Sequence, residues 1–265
     1  ADEIPYARRG LAVGLAETSW ALALLVGAPA VAWALARPAA GWPLLGPRPA
    51  WTTPLTALGL AGAAGAIALA LIARRRAPAD APDGAPSRPR APVLGAPGLL
   101  RDHASVRAAA LYCLLATAGV EAVLIALGPW LEGVHGMSLA GLGAAAVAIG
   151  VAELAGELGT GPLVDRHGKQ RVVAACALAC AALLAALPLA GARAAPALTV
   201  LAAVFVAYEM AIVGAIPIVS ELVPARRAGV LSLAVAAMSL GRGCGALLGS
   251  ALWNAGGIAL VGPGA

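Results

Sequence analysis

VVAACALACAALLAALPLA, residues 172–190, runs for nineteen positions without a charged side chain. Lys169 and Arg171 stand just before it and Arg193 just after it. About 20 apolar helical residues cross the hydrocarbon layer of a bilayer, and a helix satisfies its own backbone N–H and C=O groups on the way. The stretch reads as a membrane span. Working outward, blocks of the same character fill 10–36, 52–73, 107–131, 138–160, 197–220 and 229–252. An eighth begins near Gly256 and runs to Ala265, too short to cross.

Composition agrees. The chain is 61% hydrophobic and 12% charged, with a mean hydropathy of +0.87. A soluble domain is about 45–50% apolar and about 25% charged, because charge must cover its surface. The net charge of +5 would suit a nucleic-acid partner, but the basic residues sit in short loops between apolar blocks. That pattern sets membrane topology rather than a phosphate-binding face. With the N-terminus inside, fourteen of the eighteen Lys and Arg residues fall in inner loops, and only Arg37, Arg48 and Arg193 fall outside. Trp33, Trp42, Trp51, Trp130 and Trp253 gather at the outer boundary, where an indole keeps its ring buried and its N–H wet. Cys113, Cys176, Cys180 and Cys244 lie within apolar blocks and lack the His, Cys or carboxylate neighbours of a metal site. They read as packing residues. No metal or other cofactor is expected.

Between Arg74 and Val106 the character changes. From Ala77 the chain reads APADAPDGAPSRPRAP, which buries too little apolar surface to order itself and is expected to be a flexible basic linker on the cytoplasmic side. It divides residues 1–73, with two spans, from residues 107–265, with five full spans and a partial sixth. The expected fold is an all-α polytopic membrane protein of about seven full transmembrane helices plus a truncated eighth.

The segment after the 138–160 span reads Gly161-Pro162-Leu163-Val164-Asp165-Arg166-His167-Gly168-Lys169-Gln170-Arg171. It resembles the cytoplasmic loop signature of the major facilitator superfamily, Gly-x-Leu-x-Asp-Arg-x-Gly-basic-basic, with Gln170 where a second basic residue is usual. Pro5-Tyr6-Ala7-Arg8-Arg9-Gly10 looks like the family's start of helix five, and Glu221-Leu222-Val223-Pro224-Ala225-Arg226-Arg227 like its start of helix eleven. The resemblance implies a two-lobed transporter bundle in which these spans are helices five to twelve. The four helices that would precede them are expected elsewhere in the same transporter. It also implies that Gly161, Asp165, Arg166, Gly168, Lys169 and Arg171 form a gating loop, with Asp165 facing Arg8 to Gly10. An anion beside cations suits the partial positive charge of a helix N-terminus.

Ionisable side chains at the centre of a span cost roughly 2.5–3.5 kcal/mol to insert, so they face protein or a water-filled cavity. Glu121, Glu209 and Arg242 each lie about halfway along a span at about 1.5 Å per residue, at the level where transporters bind their cargo. Desolvation favours proton uptake by such a carboxylate, whereas a neighbouring Arg keeps it charged. Glu121 or Glu209 is expected as a proton or substrate-cation site, with Arg242 as partner. A structural ion pair is the plainer alternative. Glu17 and Glu153 fall in the cytoplasmic third and are expected to line an inner vestibule, to snorkel or to play a structural part. Tyr208 is a weaker candidate, since adjacent helical residues face about 100° apart. Glu157 is expected to link to Arg166 or Arg171.

Gly27-Ala28-Pro29 lies where the family's drug and proton antiporters carry Gly-Pro, with Ala28 intervening. Gly241, Gly243, Gly245 and Gly249 should permit close helix contact. The three histidines lie in loops, and no His-Glu-x-x-His, Gly-x-Ser-x-Gly or Walker pattern occurs, so an enzyme is not expected. By resemblance, the reading is a secondary transporter fragment in the cell membrane, of bacterial inner-membrane type. It would exchange a small molecule, with protons, by alternating access, exporting it. The partners expected are lipid, the small-molecule substrate and protons, not nucleic acid. Alternatives are an importer or uniporter of the same fold, or a truncated scaffold that does not transport.

Overall fold

The computed structural model describes residues 22–35, 52–76, 95–190 and 193–265. Among them there are helices and turns but no strand. Six helices are long and apolar enough to cross a membrane, and a shorter apolar helix covers Leu25–Leu35 in the first expected span.

We number the α-helices in order: α1 (Ala28–Leu35), α2 (Thr52–Arg76), α3 (Gly95–Asp102), α4 (Ala104–Gly133), α5 (Leu139–His167), α6 (Lys169–Ala186), α7 (Ala194–Glu221), α8 (Arg227–Gly256) and α9 (Ile258–Gly264). Six of the seven expected full spans meet a long helix at their expected place, the first is described only over residues 22–35, which are helical, and the eighth segment, near Gly256, is the seven-residue α9. Two bounds differ. Hydropathy falls at Thr160, yet α5 continues through Pro162, Asp165 and Arg166 to His167. Within the stretch expected as linker, α3 is helical, and it seats Leu99 in the core at 2% exposure. Gly95-Ala96-Pro97-Gly98 reads as a breaker sequence, but Pro fits the first turn of a helix, where its missing N–H has no partner to lose.

The chain divides into two compact units. One spans residues 30–93 and holds α2, whose apolar side chains, Leu55 through Ile72, are exposed. The other joins residues 1–29 to residues 94–265. At its start Ala23–Gly27 forms a π-helical turn, with the Ala28 N–H donating to the Ala23 carbonyl, and this turn packs on α5. Pro29 follows at once. A proline cannot donate, and its ring clashes with the carbonyl four residues back, so the helix widens beside it.

The most extensive pairing is α4 with α8, followed by α6 with α7 and α5 with α7. Gly241, Gly245 and Gly249 recur every four residues on one face of α8, and all three are buried. A Cβ at these positions would collide with the α4 backbone at Leu114, Ala118 and Ala122, respectively. Gly243 faces open space and takes no part. Small residues let backbones approach closely where lipid gives helices no hydrophobic drive to associate. The Thr117 hydroxyl, 2.7 Å from the Cys113 carbonyl of its own helix, also lies 3.2 Å from the Met238 carbonyl of α8, and the Tyr112 hydroxyl donates to the Ala211 carbonyl at 3.2 Å, which ties α4 to α7.

Trp130, expected at the lipid boundary, is instead 1% exposed, with the His135 ring edge-on at 5.1 Å. It packs with Leu131, Ile149, Leu201 and Phe205 in the main core. Leu178 and Leu247, by contrast, are 73% and 76% exposed. A water-soluble bundle does not present such a surface in quantity; a lipid-facing one does.

Candidate functional site

Three helices bring their mid-span polar residues together. On α7, Tyr208 is buried and Glu209 half-buried. Adjacent residues diverge by about 100° around a helix, and here that divergence lets α7 address two neighbours. Tyr208 lies within hydrogen-bonding reach of the Arg242 guanidinium of α8. Glu209 lies against α5: a Cβ at Gly156 would stand 2.8 Å from the Glu209 Cβ and from the Val206 carbonyl oxygen. The absence of a side chain at position 156 is what lets α7 approach there.

One turn before Gly156 stands Glu153, at the centre of α5 and 9% exposed. The charges of Glu157 and Arg242 both act on it, and those of Glu209 and Arg242 act on Tyr208. The result is a cluster of three carboxylates, one phenol and one guanidinium drawn from α5, α7 and α8. Such a cluster can hold Arg242 between carboxylates, or release it when a carboxylate is neutralised or a competing cation arrives.

The sequence expectations divide accordingly. Tyr208, Glu209 and Arg242 are brought together. Glu121 is half-buried on α4, in the same turns as Thr117, Ala118 and Ala122 that meet α8. Among the described residues it makes no ion pair with Arg242 or any other group. Glu17 lies outside the described residues, as do Arg8 to Gly10, the expected partners of Asp165. Glu153 joins Tyr208 and Glu209 through Arg242. Glu157 acts on Glu153, and Arg166 and Arg171 are both exposed.

At the basic end the signature segment is helical on both sides of one residue. Gly161, Asp165 and Arg166 lie exposed on the last turns of α5, and Lys169 and Arg171 open α6. Gly168 alone forms the turn, at φ 86°, in the left-handed region that a side chain resists. The Lys169 Nζ donates to Glu221 Oε1 at 2.7 Å, tying α6 to the end of α7. Beside this bridge is a cavity of about 410 Å³. Sequence reasoning missed Glu221 as a partner of the segment, since 52 residues separate it from Lys169.

Among the described residues no group of His, Cys, Asp and Glu side chains is arranged to hold a metal ion. The family model described as Major Facilitator Superfamily matches residues 1–246. No curated protein and no solved structure is significantly similar to the chain.

Proposed function

The chain belongs to the major facilitator superfamily and is a multi-pass membrane protein of that transporter family, and from this premise we propose that it moves a small organic molecule by alternating access, coupled to protons, in the direction of export. The observation that carries the reading is the convergence of Glu153, Tyr208, Glu209 and Arg242 from three helices at mid-span. Charges at that depth are costly and are kept where cargo or protons pass.

In this mechanism Arg242 is shared between Tyr208 and the carboxylates in the resting state. Protonation at Glu209 or Glu153 weakens its hold on Arg242, and the freed guanidinium or carboxylate engages the substrate. Glu121 offers a further carboxylate near mid-span, on the neighbouring α4. The widened turn before Pro29 lies against α5 and gives that contact a helix able to change shape. Export is taken from the family resemblance of this helix to those of the antiporters. At the basic end, Asp165 and its neighbours act as the inner gate.

Reconstitution in proteoliposomes with a pH gradient imposed in each sense tests this. Transport should follow the gradient, and Glu209→Gln should abolish that dependence while insertion stays normal. Coupling unchanged in Glu209→Gln, Glu153→Gln and Glu121→Gln would remove the proton sites.

A further inference from the structure

We infer that the cavity between the α5–α6 turn and the end of α7 binds a phosphate group, carried by a lipid headgroup or free in solution. Its volume is about 410 Å³, and its polar lining is His167, Lys169, Gln170, Arg171 and Glu221. Lys169 and Glu221 already neutralise one another at 2.7 Å. Arg171 has no such partner: among the described residues it makes no ion pair. One cation of the lining is therefore unbalanced, and its planar fork of N–H donors matches phosphate oxygens. Ile218 supplies an apolar wall, which a solvated row of charges would not need and which a glycerol or acyl group can cover.

The position suits a charged headgroup. The bias of Lys and Arg assigns this end of the helices to the cytoplasmic side, where anionic lipids attract basic residues and basic pockets between helices take their headgroups. A phosphate held by Arg171 also competes with Glu221 for Lys169. Occupancy therefore loosens the tie between α6 and α7. This concerns a different face of the segment from Asp165, and it does not rest on the transport reading.

Native mass spectrometry of the purified full chain, titrated with short-chain phosphatidylglycerol, phosphatidylcholine or inorganic phosphate, tests the site. Retention of phosphatidylglycerol over phosphatidylcholine, unaffected by millimolar phosphate, identifies a lipid headgroup; displacement by inorganic phosphate identifies the free anion. In either case Arg171→Gln should weaken binding by about tenfold, as losing one charge-assisted contact does. Glu221→Gln should tighten it by releasing Lys169, an effect that a purely structural role for the bridge would not produce. Both side chains are exposed, and an unchanged melting temperature without ligand confirms that the variants fold. Absence of any preference for either anion over phosphatidylcholine, or binding insensitive to both substitutions, overturns the inference.

Discussion

Glu209 rests on Gly156: the Cβ atom that alanine would place at position 156 would come within 2.8 Å of the Glu209 Cβ. Gly156→Ala should therefore destabilise the protein by about 1–3 kcal/mol, the usual cost of overpacking, and Gly156→Leu by more. Both should lower the melting temperature in detergent. Gly243→Ala, on a face with open space, should leave it level or raise it, since alanine favours a helix over glycine by about 1 kcal/mol.

Arg242 is the cation that Tyr208 and Glu153 share. Removing it leaves carboxylates together without their counter-charge, an arrangement that costs several kcal/mol when buried. Arg242→Gln should abolish gradient-driven uptake in proteoliposomes. Arg242→Lys, which keeps the charge and loses the planar fork, should retain part of it. Tyr208→Phe removes one hydrogen bond and should cost about 0.5–1.5 kcal/mol in stability.

Glu153 interacts with Arg242, and Glu209 with Tyr208, which Arg242 also reaches, whereas Glu121 makes no ion pair among the described residues. Groups that share partners are non-additive. Glu153→Gln combined with Glu209→Gln should reduce transport by less than the product of the single effects. Glu121→Gln combined with Glu209→Gln should give that product. Rates of the four single and double variants in one lipid mixture decide it.

The bridge from Lys169 to Glu221 is exposed on both sides, so its contribution should be about 0.2–1 kcal/mol, the range of surface ion pairs. Exchanging the charges, Lys169→Glu with Glu221→Lys, should recover what either single change loses. Thermal melts at low and high salt measure this, and the difference should shrink as salt rises.

Topology can be checked directly. Labels at Arg88, in the linker, and at His135, in the α4–α5 turn, should report opposite compartments, with Arg88 in the cytoplasm. Placement of both on one side would contradict the orientation drawn from the Lys and Arg bias.

The spans were legible because crossing a bilayer imposes a length, and 172–190 and 197–220 obey it with little ambiguity. The polar residues at their centres were legible for the same reason: Glu209 and Arg242 interrupt apolar runs, and such an interruption has a cost that demands a use. What hydropathy cannot report is where a helix stops once its residues turn polar. The α5 helix runs seven residues past Thr160. Partners across helices were hidden as well. Nothing in the spacing of Gly156 announces Glu209, and an indole near a span's end, like Trp130, reads as wet although the fold buries it. The short helix around Leu99 was obscured by the glycines and proline that surround it. The lack of a side chain at Gly241, Gly245 and Gly249 was legible as close packing, while the exclusion of Gly243 required knowing which face α4 meets.

A turn made of one residue has no slack. Because Gly168 alone separates α5 from α6, a displacement of the end of α5 finds no loop to take it up and is handed on to the start of α6. The torsions of that single glycine then govern how much of a movement at Gly156 arrives at the far end of the pair.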